Sequence, residues 1–433
     1  MFRGGGSMKK NLWIVVFLVF FLIILSSLGP TTTYATNGHQ LSAVGAYQEG
    51  MAGATTAAPY DSSTSISNPA GMAMIGNRTD FSFMTFFPSR QTAFGLGGGT
   101  TEGGSGMYLV PAIGWTAPVN DRGDLFFGGG MYGVSGMGVD YDTVSAPFAA
   151  PYVGASTQAH VWSQYQFWKM APTLAWKKDK LAVGFALNLD YQAFGFKNVY
   201  TGTGGMLGTK AGFDLSEMQG ALGYGATVGA IYEFSPKFAV GASYASKQYF
   251  SDFKWRLSAN DVVWTAGANS DGIYKMKLDF PQQFAVGIAV RPVKKLLWTA
   301  DVKWIQYSDT YDKVYLRGNF SMGTETLLDF GWEDVWVYAT ALQLEVTPKF
   351  VIRAGYNHST SPIGKEDVDN NIAFPAIVTN RVAGGFTYRF GRHWEVTMAY
   401  MKALKAELTS NSGSDNKISL EEQATDFELS YRF

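Results

Sequence analysis

Residues 181–191 read LAVGFALNLDY, and every second residue of this stretch is apolar. Leu181, Val183 and Phe185 begin an apolar face that continues to Tyr191, whereas the residues between them are small or polar. Successive side chains of a β-strand point to opposite sides, so the two faces meet different surroundings. This pattern is typical of a transmembrane β-barrel, which has lipid on one side and a lumen on the other. For one strand alone, a soluble β-sandwich is an open alternative.

The same alternation recurs up to the last residues, Asp426–Phe433. It predicts fourteen strands, at 79–88, 108–118, 123–135, 165–177, 181–196, 222–234, 238–255, 274–291, 296–308, 326–346, 349–358, 377–390, 394–407 and 418–433. Tight polar turns such as 178–180 alternate with long Gly-rich links such as 136–164. Outer-membrane barrels show this asymmetry between periplasmic turns and extracellular loops. We therefore predict an all-β fold, a fourteen-stranded antiparallel transmembrane β-barrel over residues 79–433.

The composition agrees with a barrel. Hydrophobic residues make up 46% and charged residues 16%, against about 25% charged residues in soluble domains. The absence of cysteine excludes disulfides and zinc-thiolate sites. A net charge of −1 gives no reason to expect nucleic acid as a partner. Aromatic residues near strand ends predict interface girdles, formed by Trp298, Trp304, Trp332, Trp336, Tyr388, Phe390, Trp394 and Tyr400.

The N-terminus has the parts of a secretory signal peptide. Lys9 and Lys10 precede an apolar run, Leu12–Leu25, and Thr33-Tyr34-Ala35 supplies a small-residue cleavage site. The run has 14 residues, fewer than the roughly 20 that a spanning helix needs, although a retained anchor is the alternative. We predict a cleavable signal peptide over residues 1–35, with Met8 as an alternative start, and a location in the bacterial outer membrane.

Residues 36–78 do not alternate and precede the first predicted strand. They contain small, loop-like stretches, including Gly50–Ala54 and the tripeptide Asn68-Pro69-Ala70. A segment of this size is too short to fold alone but long enough to fill a barrel lumen. We predict an N-terminal hatch that plugs the lumen.

Several segments resemble one known family. They are Gly50–Ala54, Ser67–Ala70, Leu278–Pro281, Trp298–Trp304, Trp332–Asp334 and Arg353–Ile363. Together they are similar to the FadL family of outer-membrane hydrocarbon transporters, which includes the long-chain fatty-acid transporter and the toluene and xylene uptake proteins. The likeness spans nearly the whole mature chain, and it implies a plugged fourteen-stranded barrel with a hydrophobic groove among its loops.

The resemblance also implies a lateral exit where the third strand kinks. Gly128, Gly129 and Gly130 lie in the predicted third strand, where glycine marks bends or bulges, and we assign the lateral gate to them. Residues 128–133 also fit G-x-G-x-x-G, but a dinucleotide site requires this motif between a strand and a helix. No helical period follows, so a nucleotide site is not expected.

Charged residues on the inward faces are candidate ligands for an acidic substrate. By alternation, Lys303, Arg353 and Arg381 point into the lumen, where a cation would hold a fatty-acid carboxylate. Pairing with Asp301 or with the hatch is the alternative role. Aromatic residues in and near the long loops are candidates for substrate capture, and loop-on-loop packing is their alternative; they are Phe148, Trp162, Phe194 and Phe196.

These features predict a passive transporter for long-chain fatty acids or for aromatic or aliphatic hydrocarbons, without enzymatic activity, cofactor or metal. A general diffusion porin is the alternative, and an outer-membrane phospholipase seeded by His358 and Ser359 is a weaker one. The expected partners are a hydrophobic small molecule, membrane lipid and lipopolysaccharide, and the barrel-assembly machinery, for a protein that acts as a monomer.

Overall fold

The computed structural model describes residues 37–104, 106–258, 261, 271–320 and 323–433. The predicted signal peptide, residues 1–35, lies outside the described residues. Fourteen strands in the described chain form one closed antiparallel barrel. They are β1 (Arg78–Ala93), β2 (Tyr108–Pro118), β3 (Leu125–Ser145), β4 (Gln158–Met170 and Thr173–Lys178), β5 (Leu181–Gly205), β6 (Gly208–Ser235), β7 (Phe238–Ala245), β8 (Gln283–Val293), β9 (Leu296–Ile305), β10 (Val335–Thr347), β11 (Phe350–Ser359), β12 (Asn380–Phe390), β13 (Trp394–Thr409) and β14 (Lys417–Arg432).

The barrel closes where its last strand meets its first. β14 pairs with β1 over the full length of both, from Arg78 opposite Arg432 to Ala93 opposite Lys417. Closure leaves no free sheet edge at this seam, as a membrane-spanning sheet requires. The predicted fourteen-stranded barrel is confirmed.

The alternation in the sequence corresponds to the two faces of the wall. On β5, Phe185, Leu187 and Leu189 are exposed on the outside, whereas Ala186 and Asn188 are buried on the inside. Most of the predicted girdle residues are also exposed on the outside, but Trp332 is 2% exposed and the prediction is wrong for it. Trp332 lies before β10 and packs against Tyr307 and Tyr311, each at a ring-centre distance of 5.2 Å.

A second, smaller sheet lies beside the barrel. It contains four short strands, in the order Phe253–Leu257, Gly272–Met276, Lys313–Phe320 and Gly323–Asp329. Three predicted strands, 238–255, 274–291 and 326–346, each include residues of this sheet. In the structure β7 ends at Ala245, β8 begins at Gln283 and β10 begins at Val335, so these predicted bounds are wrong. An alternating hairpin outside the barrel has the same period as a membrane strand, which explains the error. Two further segments, Thr100–Glu102 and Tyr249–Phe250, pair with barrel strands.

The hatch crosses the lumen from one wall to the other. It contains the short helices α1 (Ala46–Gly50) and α2 (Thr64–Ser67) and a 3-10 helix, Pro69–Ala73. The helix α1 packs against β12 and β13, and the 3-10 helix packs against β4, β5 and β6. The remaining short helices lie outside the hatch, at Pro147–Ala149, Ala150–Val153, Tyr307–Asp309 and Val368–Asn371. Among the described residues, no helix has the length and apolar character needed to span a membrane.

Candidate functional site

The Asn-Pro-Ala motif of the hatch fits a notch in the barrel wall. Gly184 of β5 and Gly229 of β6 are opposite each other. A Cβ at Gly184 would lie 2.3 Å from the carbonyl carbon of Pro69, and one at Gly229 would lie 2.0 Å from Oδ1 of Asn68. The glycine pair therefore lets the hatch backbone touch the wall, where any side chain would displace it.

Asn68 uses both ends of its amide at this notch. Its Nδ2 donates to the carbonyl oxygens of Thr56, at 2.7 Å, and Ala230, at 3.3 Å. Its Oδ1 accepts from the backbone N–H of Ala70 at 3.3 Å and so caps the 3-10 helix. An asparagine side chain has both donor and acceptor groups, so it can bind the two carbonyl oxygens and cap the 3-10 helix at the same time. This explains its place before the proline.

Inward polar residues of other strands fasten the rest of the hatch. The Oδ2 of Asp301 on β9 accepts from the backbone N–H of Thr56 at 2.8 Å, and Asp80 on β1 binds Ser62 in the same way at 2.8 Å. On β11, Nδ2 of Asn357 donates to the Ala52 carbonyl at 3.0 Å. Asp301 thus binds the hatch, which is one of the two alternatives for the lumen charges.

Arg353 points inward, as predicted, and contacts the hatch. Its Nε donates to Oε1 of Gln343 at 2.8 Å and its Nη1 donates to Oγ1 of Thr387 at 2.7 Å. Its guanidinium carbon stands 4.7 Å from the ring centre of Tyr47, a cation–π distance. These contacts match the alternative role as a partner of the hatch.

The other two predicted lumen cations also face the hatch. Lys303 lines a small cavity of about 60 Å³ together with Gln40 and Val44 of the hatch. Arg381 is buried near Glu49 of α1. Burial raises the pKa of Glu49 to about 7, and the positive charge of Arg381 offsets part of this rise.

The pairing of β2 with β3 stops partway along both strands. It runs from Pro118 opposite Phe126 to Ala112 opposite Tyr132. Beyond this point β2 continues back to Tyr108 with β1 as its partner. β3 continues to Ser145, paired with β4 and shifted by a bulge between Gly133 and Ser135. The ladder between the two strands is therefore interrupted, although Val110 of β2 still packs against Gly133 of β3. We call this unpaired stretch the lateral gap.

Two residues fit the edges of this gap. Pro111 lies on the part of β2 that does not pair with β3, and proline has no N–H group to leave without a partner. Arg90 on β1 donates from its guanidinium to the backbone carbonyls of Gly138 and Gly104. Arg90 thus ties β1 to the unpaired part of β3 across the end of the gap.

A cavity of about 290 Å³ lies at the gap. It is lined by Val110 of β2, Gly133 of β3 and residues of both faces of β4: Phe167 on the inward face and Trp168 on the outward face. Most of its lining is apolar, and Arg90 and Glu422 supply its charged groups. Such a cavity can hold a small hydrophobic molecule between the lumen and the outside of the wall.

The three predicted gate glycines lie just before the gap. Gly128, Gly129 and Gly130 are paired with β2. Gly129 has a φ of +132°, and a Cβ there would lie 2.2 Å from the carbonyl oxygen of Ala171, at the break in β4. The glycines therefore form a bend in β3, and the unpaired segment begins beyond them, at Gly133.

The N-terminal end of the hatch binds the unpaired part of β3. The bulge leaves Val134 outside the β4 register, and its carbonyl accepts from the Leu41 N–H at 3.1 Å. The Ser135 hydroxyl donates to the His39 carbonyl at 2.7 Å, and Nδ1 of His39 lies 2.5 Å from the same hydroxyl oxygen. Because that hydroxyl has one proton, Nδ1 is the donor in the second bond.

The four predicted capture residues lie in different surroundings. Phe194 and Phe196 are buried on β5, and Phe194 faces a small apolar pocket with Tyr311 and Phe374. Phe148 packs between Phe94 and Tyr200, at ring-centre distances of 5.7 and 5.4 Å. Trp162 lies on the outward-facing side of β4 and lines neither the small apolar pocket nor the cavity at the gap.

His358 and Ser359, the two residues behind the phospholipase alternative, do not contact each other as a dyad. His358 and Ser359 are successive residues of β11, so their side chains point to opposite faces. Nδ1 of His358 lies 2.9 Å from Oδ1 of Asn380. Ser359 is fully buried on the inward face.

A comparison with models of protein families shows which family the chain belongs to. The model of a family described as outer membrane protein transport protein (OMPP1/FadL/TodX) matches residues 28–431. The chain belongs to this family. It is an outer-membrane transport protein, as the resemblance implied. No curated protein sequence gives a significant match.

Solved structures of the FadL type share the fold. The toluene transporter TodX of Pseudomonas putida has 19% identity and a TM-score of 0.73, covering 90% of this chain and 99% of its own. A FadL homologue of Pseudomonas aeruginosa has 14% identity and a TM-score of 0.70, covering 93% and 100%. The toluene transporter TbuX of Ralstonia pickettii has 17% identity and a TM-score of 0.68, covering 90% and 99%.

The sequence did not point to several residues of this FadL-family site. They are His39, Arg90, Pro111, Ser135 and Tyr311. The only available signal was local: Pro111 is a proline inside an alternating strand, which marks an edge. The others come from distant segments and have no common spacing.

Proposed function

We propose that the chain carries hydrophobic small molecules, long-chain fatty acids or aromatic or aliphatic hydrocarbons, across the outer membrane and releases them between β2 and β3. The observation that carries this proposal is the lateral gap, because β2 and β3 both continue beyond their last pair and a cavity of about 290 Å³ lies there. A hydrophobic solute that leaves sideways enters lipid directly. It avoids the polar lipopolysaccharide layer outside.

The edges of the gap are compatible with lipid. Unpaired backbone groups are costly in a membrane, so an open edge needs other partners. Pro111 removes one donor, Arg90 binds the carbonyl of Gly138, and the hatch binds the carbonyl of Val134. Gly128–Gly130 lie just before the unpaired segment, and the positive φ of Gly129 lets β3 pass from one part of β4 to the other at the break in β4.

Capture begins at the extracellular loops in this proposal. The apolar pocket of Phe194, Tyr311 and Phe374 lies at this side, and Phe196 packs against Phe374 at a ring-centre distance of 6.0 Å. Phe148 is assigned to the same loop surface, and Trp162 to its outer margin. We further propose that residues 1–35 are a signal peptide, and that the barrel-assembly machinery inserts the barrel as a monomer among lipid and lipopolysaccharide.

Uptake measurements test the proposed function against the porin alternative. A strain without its own hydrophobe transporters would express the chain, and uptake of radiolabelled oleate, hexadecane, toluene and a polar disaccharide would be compared with the empty vector. We expect faster uptake of at least one hydrophobe and no change for the disaccharide. Faster disaccharide uptake with unchanged hydrophobe uptake would show a general porin.

A further inference from the structure

An open cleft lies on the outside of the barrel, between β6 and the smaller four-stranded sheet. It has a volume of about 660 Å³, and we call it the outer cleft. Residues of three neighbouring segments line it: Gln219 and Gly220 of β6, Ser251 and Asp252 just before the small sheet, and Lys254 and Lys277 in and beside its first two strands.

The wall next to the outer cleft is apolar and faces outward. Leu222 and Tyr224 of β6 are 70% and 63% exposed, and Tyr249 is 45% exposed. The Leu222 carbonyl accepts from the N–H of Ser251 at 2.9 Å, so Leu222 is at the rim of the cleft. Tyr224 is opposite Tyr249, with ring centres 6.0 Å apart. An amphiphile in the cleft would therefore have an apolar surface for its tails directly beside it.

The outer cleft is on the extracellular side of this apolar wall. β6 ends at the tight turn between Ser235 and Phe238, and tight turns lie on the periplasmic side of such barrels. Gly220, which precedes Leu222 on β6, is therefore farther toward the outside of the cell. Tyrosines such as Tyr224 and Tyr249 occupy the level where hydrocarbon meets the polar head groups. The cleft is thus at the level of the head groups of the outer leaflet.

Two exposed lysines of the small sheet face each other across its first two strands. Lys254 lines the outer cleft and is directly opposite Lys275. Neither has an acidic partner among the described residues, whereas Lys277 pairs with Asp279 at 3.2 Å. Like charges directly opposite each other destabilise a sheet. The folded protein therefore gains no stability from this pair, and an anion bound between the two lysines would relieve their repulsion.

The acidic groups at the outer cleft do not cancel its positive charge. Asp279 is occupied by Lys277 and also accepts from the N–H of Phe250 at 2.8 Å. Asp252 is the other acid, and it stands against the two lysines of the facing pair. The next cation in the row, Arg317, is opposite Lys275 and pairs with Glu325 at 3.5 Å. One positive charge is left over at the cleft.

We propose that the outer cleft binds a phosphate of the lipid A part of lipopolysaccharide, held by Lys254 and Lys275, while its acyl chains lie on Leu222, Tyr224 and Tyr249. Basic clefts at head-group level bind phosphorylated lipid head groups through charge-assisted hydrogen bonds. A free phosphate makes no use of the apolar wall, and a hydrocarbon makes none of the lysines. This inference rests on the proposed function for the contact with lipopolysaccharide, and it does not involve the route of the solute.

Binding of bis-phosphorylated lipid A to the purified, folded protein in detergent tests the proposal, with native mass spectrometry as the readout. Lys254→Gln combined with Lys275→Gln removes both cations, and we expect the apparent Kd for lipid A to rise by about ten-fold or more. Lys237→Gln combined with Lys294→Gln removes the same charge at two periplasmic turns and should leave this Kd unchanged. Lipid A without phosphates should bind the native protein and the Lys254→Gln, Lys275→Gln variant equally.

A second variant separates binding from folding. Lys254→Glu places opposite charges across the two strands, so the protein should unfold at the same or a higher temperature while its Kd for lipid A rises. The deacylated bis-phosphorylated disaccharide should bind the native protein about ten-fold more weakly than lipid A, because it cannot cover the apolar wall. Equal binding of lipid A by the native protein and the Lys254→Gln, Lys275→Gln variant overturns the inference. Equally tight binding of the deacylated disaccharide also overturns it, because the cleft is then an anion site only.

Hydrophobe uptake distinguishes this inference from the proposed function. The Lys254→Gln, Lys275→Gln variant should take up oleate and toluene as fast as the native protein does. Failure of the native protein to bind lipid A, with uptake intact, overturns the inference alone. Failure of uptake, with lipid A binding intact, overturns the proposed function alone.

Discussion

The two ends of the hatch are held by different kinds of wall. Asn68 and Pro69 fit a notch in β5 and β6, two strands that are paired with each other on both sides of the notch. Leu41 and His39 instead bind the part of β3 that has lost β2 as its partner. One end of the plug is therefore anchored to a continuous sheet, and the other to the edge of the gap.

Both ends of the hatch are held by hydrogen bonds to the wall. Moving Asn68 would break three hydrogen bonds and empty a notch, and buried groups left unpaired cost about 1–3 kcal/mol each. Moving the N-terminal end would break the bonds between His39 and Ser135, between Leu41 and Val134 and between Asn37 and Tyr307. The N-terminal end therefore differs from Asn68 in the wall that it binds, and not in having fewer hydrogen bonds.

Deletion of the hatch has the largest expected effect. Without residues 37–77 a barrel of this width leaves a lumen that nothing fills, so we expect ion conductance in planar bilayers. Deletion of residues 37–41 alone keeps α1, α2 and Pro69–Ala73 in place, and conductance should stay low. Negligible conductance after the full deletion would mean that the hatch does not close the barrel.

A methyl group in the notch tests the anchored end. The Cβ of Gly184→Ala would lie 2.3 Å from the carbonyl carbon of Pro69, whereas that of Gly384→Ala meets nothing closer than 3.5 Å. We expect Gly184→Ala to destabilise the folded protein by about 1–3 kcal/mol and to expose the hatch to protease. Gly384→Ala should do neither. Equal behaviour of the two variants would contradict the anchoring role of the notch.

The pH dependence of the free energy of unfolding tests whether Glu49, in helix α1 of the hatch, is buried. The pKa of Glu49 is about 7 in the folded protein and 4.5 ordinarily, so the folded state binds its proton more tightly. Its contribution to the free energy of unfolding is therefore full below pH 4.5 and is lost as pH rises to about 7 and above. We expect the free energy of unfolding to fall between pH 4 and pH 8, and to fall less for Glu49→Gln than for the native protein. Identical pH profiles would show that Glu49 is not buried as described.

Arg353→Met has the smallest expected effect on transport. The variant loses two hydrogen bonds, each contributing about 0.5–1.5 kcal/mol, and a cation–π contact to Tyr47. We expect a modest loss of stability and equal changes in oleate and toluene uptake. A much larger fall for oleate would show instead that Arg353 binds the carboxylate, as its inward position in the sequence suggested.

The sequence predicted the barrel well because a membrane wall imposes one period on every strand. β2, at residues 108–118, has the predicted bounds, and the strand beginning at Leu181 was also found. The exceptions are informative: Phe253–Leu257, Gly272–Met276 and Gly323–Asp329 were included in predicted barrel strands but lie in the small sheet. Period alone does not distinguish the strands of the barrel from strands outside it.

The site was harder to predict because its residues have no common spacing. The Asn68-Pro69-Ala70 motif was found because its three residues are consecutive and resemble the hatch of the FadL family. Trp332 was predicted to be a girdle residue because it lies just before a strand, but it is buried against the rings of His39, Tyr307 and Tyr311. These residues come from distant segments, between positions 39 and 332, and the closed barrel makes them neighbours.

A disulfide across the lateral gap tests lateral release most directly. A Cβ at Gly133 would lie 3.7 Å from the Cβ of Val110, within the range of about 3.5–4.5 Å that disulfides adopt. The chain has no cysteine, so Val110→Cys with Gly133→Cys forms a single defined bridge between β2 and β3. We predict that hydrophobe uptake falls to the level of the empty vector when this bridge is oxidised and returns on reduction, while Val110→Cys alone is unaffected by either treatment. Full uptake through the oxidised, folded protein would contradict release between these strands.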